Sequence, residues 1–494
     1  MAVITLYTVL IAVVAMSLLS LSFKKLRSTK VKLPPGPYGL PLVGYLPFLG
    51  RNIHQTFMEL ANIYGPIYKL SIGQKLFVLI SSPTLAKEVV HDHDISFANR
   101  NPTIAALAFS SRPEWRMLRR IFVHEMQSNA NLDAFYALRR NQVKKSIKDV
   151  YGKNGTTIDV RMLAYSTVIN MMTSMFWGGT LEGDIGANIN AQFRDAVSEL
   201  LIIWGKPNIS DFFPFLASFD IQGIQGDMKR ASRWMEKIFD FVIDPRTKNN
   251  TNISNNDFLD FLLEFKDHET RKSLSRPQIK ALSCGVDIVI GGTGTTSTSF
   301  DWTMAELMLH PEVMKKTQEE LTKVVGDANV VEEYHFHKLP YLQAVVKETL
   351  RLHPSAPLLL PRCPSQTCTL GGYTIPKGAK VFLNAWAMHR DSQLWENPYE
   401  FRPERFVGDS NKLDFSGNKF HYIPFGSGRR MCAGLHLGER MLMYTLATFL
   451  HMFHWKVPDG EKPDTGEKFG IVLEKSTPLI VIPTPRLNNL KLYH

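Results

Sequence analysis

The pattern of apolar and polar residues divides the chain into an apolar amino terminus and a long body in which helical spacing prevails. Residues 2–23 form an apolar run of about the 20 residues that a membrane-spanning helix needs. Apolar residues alternate from Ile67, and residues 76–81 have the pattern of a short strand. Helical spacing is found in three further stretches, at residues 131–151, 189–203 and 435–453. No repeat and no break in composition divides the body, which predicts one large unit with a small subdomain.

The charges that follow the apolar run predict its orientation. Basic residues come directly after it, at positions 24, 25, 27, 30 and 32, and such residues mark the cytosolic side of a span. A cleaved signal peptide carries its charges before the apolar core and small residues after it. The observed order therefore favours a retained membrane anchor over residues 1–23. Residues 24–37 are basic and proline-rich, and they form either a hinge that sets the angle of the body, residues 38–494, or a generic linker.

A glycine cluster interrupts a further helical stretch, residues 275–310. Pro277 suits the first turn of this helix. Gly291, Gly292 and Gly294 each cost about 1 kcal/mol against alanine in a helix interior. Either the helix breaks at this point, or a flat ligand packs against Gly291 and Gly292.

A cysteine in a glycine-bearing loop carries the strongest chemical signal. Residues 425–434 read Phe-Gly-Ser-Gly-Arg-Arg-Met-Cys-Ala-Gly and precede a predicted helix. The helix dipole and the loop N–H groups would stabilise a thiolate at Cys432. The glycines let the backbone approach a flat partner, and an arginine can bind a carboxylate at the edge of that partner. A haem iron bound by one cysteine has these requirements, and an inert buried cysteine is the alternative.

Composition bears on the cellular compartment and on the partners. Four cysteines are few for 494 residues, they lack metal-site spacing, and no cleavable secretion signal is evident, which indicates a reducing, cytosol-facing body. Sequons at Asn154, Asn208, Asn249 and Asn252 are therefore predicted to stay unglycosylated. The net charge of +11 suits a membrane surface or an acidic protein partner. Nucleic acid is the competing interpretation, but the basic residues are scattered and no nucleic-acid-binding module is recognised.

Four motifs, in order along the chain, resemble those of the cytochrome P450 superfamily. The cysteine loop fits F-x-x-G-x-R-x-C-x-G, and residues 291–296 fit [AG]-G-x-[DE]-T-T except at Gly294. E-x-x-R and P-E-R-F follow the family order at residues 348–351 and 403–406. The resemblance spans essentially the whole chain and implies the cytochrome P450 fold, mainly α with a small β subdomain and a single N-terminal transmembrane anchor. Residues 128–132 and the glycine-containing helix are most similar to plant microsomal members, in particular to the branch that oxidises sesquiterpenes.

The resemblance also implies roles for individual residues. The iron of haem b is ligated by Cys432, the cysteine loop includes Phe425 and Gly434, and the cofactor packs against Gly291 and Gly292. The residues implied to bind the haem propionates are Trp115 and Arg119, which lie four apart on one helix face, with Arg100, Arg362 and Arg430. The implied catalytic residues are Thr295, which relays protons, and Thr296. The structural triad that supports the haem side of the fold consists of Glu348, Arg351 and Arg405.

Two features depart from the family pattern. Gly294 stands where relatives carry an acid that links solvent to the threonine. The loop between Arg100 and Trp115 is shorter than in relatives, in which it contributes to the roof of the substrate pocket. Residues 355–360 and 472–479 fall where relatives line the pocket with short strands. The aromatic loop at residues 211–215 either dips into lipid near the anchor or packs in the core.

The implied activity is that of a membrane-bound monooxygenase. It would hydroxylate a small hydrophobic substrate, a terpenoid or a phenolic, with O2 and with electrons that NADPH supplies through NADPH–cytochrome reductase. The reductase is expected to dock on the basic face near Cys432. The anchor would hold the protein in the lipid of the endoplasmic reticulum membrane as a single-pass protein, with the catalytic domain facing the cytosol. A haem-thiolate isomerase or lyase, which needs no proton delivery, and a catalytically impaired haem-binding membrane protein are the alternatives.

Overall fold

The computed structural model describes residues 32–109, 115–178, 183–248, 257–267, 271–283, 291–408 and 413–494. The helices of the first half are Ile53–Tyr64 (α1), Pro83–Lys87 (α2), Asp94–Phe97 (α3), Ile104–Phe109 (α4), Trp115–Ile121 (α5), Asn129–Ala134 (α6), Tyr136–Tyr151 (α7), Val160–Trp177 (α8), Gly183–Gly205 (α9), Ile209–Phe212 (α10) and Ile224–Lys248 (α11). Those of the second half are Phe258–Glu264 (α12), Arg276–Ser283 (α13), Gly291–Leu309 (α14), Pro311–Val325 (α15), Pro340–Leu352 (α16), Ala385–Met388 (α17) and Leu435–Met452 (α18). The strands are Ile67–Ile72 (β1), Lys75–Ile80 (β2), Ile158–Asp159 (β3), Cys368–Leu370 (β4), Tyr373–Ile375 (β5), Lys380–Leu383 (β6), Phe453–Lys456 (β7), Glu467–Lys468 (β8), Glu474–Lys475 (β9) and Ile480–Pro485 (β10).

The strands form small sheets at the edge of a helical body. β1 and β2 form an antiparallel hairpin in which Ile72 pairs with Lys75, and β6 adds to β2 in parallel, with Phe77 opposite Lys380. A second sheet has the order β3–β10–β7, and β4–β5 and β8–β9 are two-stranded. The strand predicted at residues 76–81 is confirmed, one residue earlier at its start and at its end.

The predicted helices are present with shifted ends. The stretch at residues 131–151 forms two helices, α6 and α7, because the chain leaves helical geometry at Phe135. The Ser128 side chain caps α6 by accepting a hydrogen bond from the Asn131 amide at 3.3 Å. α9 contains the predicted residues 189–203, and α18 ends one residue before the predicted end.

Parts of two predictions lie outside the described residues. The long helix predicted at residues 275–310 is seen as α13 and α14, and residues 284–290 between them are not described. The anchor predicted at residues 1–23 is also not described. Within the ranges that the structure does describe, no helix is long and apolar enough to cross a membrane.

The helix α14 is the central element of the body. Its residues from Thr296 to Leu307 are all buried, and it packs against α8, α16 and α18. Small side chains in its first half, such as Ser297 and Ser299, donate hydrogen bonds back to carbonyls of the preceding turn, which satisfies their hydroxyl donors within the helix. Because the fold encloses this helix on all sides, one of its faces can border an internal cavity while the other faces pack against the core.

Residues 355–360 and 472–479, which were expected to line the pocket as short strands, do contribute lining residues, but few of the strands are present. Residues 355–360 form no strand, because Pro354, Pro357 and Pro361 offer no backbone N–H for a ladder. Of residues 472–479, only the two-residue strand β9 is extended and paired.

Candidate functional site

A cavity of about 310 Å³ lies between the start of α14 and the loop that precedes α18. One side of it is formed by Pro424 and by residues 425, 426 and 430–434 of the cysteine loop, and the other by Gly291, Gly292, Thr295 and Thr296 of α14. Apolar side chains from distant parts of the chain complete the wall, among them Leu201, Trp204, Leu359, Leu360, Ile471 and Val472. The cavity thus joins a polar, cysteine-bearing side to an apolar side.

Cys432 is fixed by the turn that carries it. Its amide donates to the Phe425 carbonyl at 2.9 Å, and a 3-10 turn at Gly428–Arg430 directs the chain into α18. Gly428 has φ +67°, and a Cβ placed there would lie 2.5 Å from the Val90 carbonyl oxygen, so the turn needs glycine. The first turn of α18 begins just after Cys432, where the helix dipole favours a thiolate.

The other described cysteines lie elsewhere. Cys363 is buried and Cys368 is half-buried, and neither lines the cavity. Burial raises the pKa of both thiols, which disfavours the thiolate that binds a metal. Cys284 lies outside the described residues. Among the cysteines that the structure describes, Cys432 alone is placed to bind a ligand in the cavity.

Arg362 has an unused hydrogen-bonding atom beside the cavity. Its backbone pairs with Val381 of β6, and its Nη2 donates to the Ser427 carbonyl at 2.7 Å. Nη1 is buried and has no hydrogen-bond partner among the described residues. Burial lowers the pKa of this guanidinium to about 10, so it is still charged at neutral pH. A buried cation with an unpaired donor favours an anion in the cavity.

Three more arginines surround the same space. Arg100 donates to the Pro361 carbonyl at 3.3 Å, Arg119 to Met431 and Arg430 to Ala98, the last two at 2.5 Å. With Arg362, these side chains line the cavity, and none of the described lining residues is an Asp or a Glu. The excess of positive charge suits a ligand that carries carboxylates, such as the propionates of haem.

The predicted pair of Trp115 and Arg119 is seen only in part. Trp115 begins α5, but the position of its side chain lies outside what the structure describes. Residues 110–114 of the short loop are likewise not described. None of the described residues between Arg100 and Arg119 lines the cavity.

The glycines of α14 are helical. The helix is unbroken from Gly291 to Leu309, and the hydroxyl of Thr295 donates to the Gly291 carbonyl at 2.5 Å. A Cβ on Gly292 would approach the Met172 Cε at 3.5 Å, an ordinary contact. Gly294 does not line the cavity itself. A Cβ there would lie 3.7 Å from both Leu201 Cδ1 and Val472 Cγ2.

The remaining predicted members of the cysteine loop also face the cavity. Phe425 and Gly434 both line it, and the Phe425 ring packs edge-on against Phe415 at 4.9 Å between centroids. A Cβ on Gly434 would meet no atom within 4 Å, so open space adjoins the backbone at this point. A flat cofactor could approach the chain closely here.

The residues predicted as a structural triad form one buried network away from the cavity. Arg351 donates to both carboxylate oxygens of Glu348, at 2.7 and 2.8 Å, and Arg405 Nε donates to Glu348 Oε1 at 3.0 Å. Arg351 also donates to the carbonyls of His389, Pro398 and Glu400. The network ties α16 to the segment that leads to the cysteine loop.

Several lining residues were not found from the sequence. Leu201 and Trp204 come from α9 and Ile471 from the C-terminal segment, and no local motif marks them. Ser299 carried a usable signal, because it lies four residues after Thr295 and hence on the same helix face. Its hydroxyl contacts that of Ser355 at 3.1 Å.

Cys432 lies in a turn that requires glycine, four guanidinium groups line the cavity, and Nη1 of Arg362 is buried with no partner among the described residues. This combination fits a haem bound through a thiolate. The site therefore defines a haem-thiolate protein. Comparison with known proteins gives the family. Residues 34–482 match the cytochrome P450 family model, and the chain belongs to that family.

The relatives and the structural neighbours are of the same family. A flavonoid 3'-monooxygenase of Crocosmia x crocosmiiflora is 38% identical over 478 residues, which cover 92% of this chain and 93% of that protein. A geraniol 8-hydroxylase of Catharanthus roseus is 37% identical over 476 residues, covering 93% and 95%. A zebrafish cytochrome P450 structure with progesterone aligns with a TM-score of 0.73 at 23% identity, covering 87% of this chain and 99% of that one, which shows the fold. The chain is accordingly a haem-containing monooxygenase that uses O2 and an electron-donating redox partner.

Proposed function

We propose that this protein is a membrane-bound monooxygenase of the endoplasmic reticulum that hydroxylates a terpenoid or a phenolic. In this proposal its catalytic domain faces the cytosol, and its electrons come from NADPH through NADPH–cytochrome reductase. The observation that carries the proposal is the apolar wall of Leu201, Leu359, Ile471 and Val472, which lines the same cavity as the cysteine loop. A cavity with that lining selects a small hydrophobic molecule. Relatives named for acting on a flavonoid and on geraniol support the substrate class.

The residues of the cavity have separate roles in this reaction. Haem, when bound, supplies the activation of O2 and the insertion of one oxygen atom into a C–H bond. Cys432 would hold its iron, and Arg362 would pair a propionate with the donor that has no partner among the described residues. Thr295 would hold and pass a proton through its hydroxyl, and Thr296 adjoins it on the cavity side. The apolar wall would orient the substrate and exclude water.

Membrane attachment is supported by an exposed apolar surface made of two segments, residues 38–48 and 209–221. Leu46, Phe48, Phe215 and Phe219 are exposed there, Phe219 by 72%. The turn between β1 and β2 joins the segments, because the Gly73 amide donates to the Val43 carbonyl and the Gln74 amide to the Phe212 carbonyl, both at 3.0 Å. Such a surface suits the lipid interface beside an anchor.

The predicted aromatic loop at residues 211–215 lies partly in the core and partly at the exposed apolar surface. Phe212 packs against Phe77 with 6.5 Å between ring centroids, whereas Phe215 is exposed. The loop thus joins the core at one end and the exposed apolar surface at the other.

Turnover in microsomes that contain the reductase tests the proposal. The protein is given geraniol, other terpenes and flavonoids with NADPH under air, and products are read by mass spectrometry. A product heavier by one oxygen atom, dependent on NADPH and absent with Cys432→Ser, is the expected result. Conversion that needs neither NADPH nor O2 would instead identify an isomerase or a lyase. Failure of every terpene and phenolic would overturn the proposed substrate class.

A further inference from the structure

The segment Ile471–Leu473 forms part of the cavity wall with little regular structure of its own. Ile471 and Val472 line the cavity, and the strands on either side, β8 and β9, are each two residues long. Leu473 is fully buried and has two hydrogen bonds to the rest of the fold. Its amide donates to the Ser355 carbonyl at 2.9 Å, and its carbonyl accepts from Trp302 Nε1 at 3.0 Å. The wall is therefore held from the segment after α16 and from α14.

Trp302 connects this wall to the helix that carries the candidate catalytic threonines. It lies seven residues after Thr295, which is close to two helical turns, so the two side chains share a face of α14. Ser299 lies between them on that face and lines the cavity. Trp302 is fully buried and is not among the lining residues. Its indole can therefore affect a bound molecule only through the residues it contacts, among them Leu473, which adjoins the lining residue Val472.

The indole ring is itself held in place by ionic and stacked partners. His353 stacks on it with 3.9 Å between ring centroids and an angle of 2° between planes. His353 Nε2 lies 2.6 Å from Glu306 Oε1. Burial opposes the ionisation of Glu306, but hydrogen bonds with His310 and His353 outweigh it and lower the pKa of Glu306 to about 2. The amino group of Lys475 lies 5.0 Å from the centroid of the Trp302 ring.

We infer that Trp302 is a positioning residue that holds the segment Ile471–Leu473 against α14 and thereby sets the shape of the substrate cavity. The inference rests on the proposed function only in taking this cavity as the place where substrate binds. Loss of the indole N–H would leave the buried Leu473 carbonyl without its side-chain donor, and the wall would shift to regain a partner. A ligand that fills the cavity would lose affinity, whereas a ligand that contacts only the iron would not.

Two haem ligands of different size test the inference without any substrate. Imidazole and 1-phenylimidazole are titrated into the haem-loaded protein, and each Kd is read from the absorbance difference spectrum. Trp302→Phe keeps a ring to stack on His353 but removes the donor. One hydrogen bond predicts a Kd for 1-phenylimidazole that rises about two- to tenfold against that for imidazole. Because no turnover is needed, a wrong substrate class would not affect this result.

Trp177→Phe is the matched control. Trp177 is also fully buried, and its Nε1 donates to Asn190 Oδ1 at 3.1 Å, away from the cavity wall. This variant should lose similar stability while the ratio of the two Kd values stays that of the unmodified protein. An unchanged ratio in Trp302→Phe, or the same change in Trp177→Phe, overturns the inference.

A second variant and a second measurement keep the test decisive if Trp302→Phe does not take up haem. His353→Gln removes the stacked ring but retains a donor for Glu306, and the ratio should change in the same direction. Hydrogen exchange of the unmodified protein gives an independent reading. The Leu473 amide should exchange as slowly as the amides of α14. Exchange at the rate of the surface loops would contradict a fixed wall.

Discussion

Arg351→Lys tests whether a buried arginine fork supports the haem side of the fold. Arg351 and Glu348 are both fully buried. The guanidinium makes five hydrogen bonds, two to Glu348 and three to the carbonyls of His389, Pro398 and Glu400. An ammonium group has three donors, so at least two of these five hydrogen bonds are lost in the variant. At about 0.5–1.5 kcal/mol for each lost hydrogen bond, the free energy of unfolding should fall by at least about 1–3 kcal/mol.

That loss is large compared with the free energy of unfolding of a typical protein, which is roughly 5–15 kcal/mol. The charge is retained in the variant, so the loss measures geometry and hydrogen bonds rather than removal of a cation. The cysteine loop is tied to the same network, because the Ile423 amide donates to Nε2 of His389. We therefore expect weaker haem retention together with lower stability.

The measurement is urea unfolding of the detergent-solubilised protein, followed by haem absorbance and by intrinsic fluorescence. Arg276→Lys is the matched control, because Arg276 pairs with Asp240 and Asp244 at the surface, with 43% of its side chain exposed. Exposed pairs contribute little to stability, so the control should unfold nearly as the unmodified protein does. The reasoning is refuted if both variants lose the same stability, or if Arg351→Lys retains haem and unfolds as the control does.

Three further predictions concern the iron ligand, the membrane and proton supply. Cys432→Ser should abolish the red-shifted Soret band of the reduced carbon monoxide complex, because serine lacks a soft thiolate, and the same loss in Cys363→Ser but not in Cys432→Ser would mean that the ligand is misassigned. Removal of residues 2–23 should release the protein from microsomes only in part, with salt or detergent needed for the rest, since basic and apolar surface stays at the interface; full release into low-salt buffer would contradict this. Gly294→Asp should raise the amount of product formed per NADPH consumed, because a positioned acid typically contributes a factor of about 10²–10⁴. An unchanged ratio of product to NADPH would show that protons reach the site by another route.

Local motifs account for the parts of the site that the sequence could predict. The turn at Gly428, the thiol at Cys432 and the pairing of Glu348 with Arg351 each depend on residues close together in the chain, so spacing alone identifies them. Arg405 was found as part of a second short motif, and the structure brings it to the same carboxylate. The family resemblance supplied the roles of these residues, and the structure shows that most of the residues predicted to bind the cofactor line one cavity.

The apolar wall could not be predicted in this way. Leu201, Trp204 and Ile471 come from α9 and from a segment more than 250 residues later, and their meeting depends on how the helices pack. The split between α6 and α7 was missed for a similar reason. The helical spacing of apolar residues continues through Phe135, whereas the helical conformation of the backbone is interrupted there. A pattern of apolar residues predicts which face of a helix or strand is buried, but it does not predict which other element packs against that face.

Gly294 shows how a residue with no side chain can matter for proton supply. A Cβ at this position would lie 3.7 Å from Leu201 Cδ1 and from Val472 Cγ2. The side chain of an aspartate introduced here would therefore start beside apolar atoms. Such surroundings disfavour the charged form and would raise the pKa of the new carboxyl above the usual value for aspartate. A proton donor is most effective when its pKa lies near the working pH. The apolar wall that suits the substrate would therefore also make an acid at this position a better donor. The advantage of the acid should fall as the pH rises above its raised pKa, where it no longer holds its proton.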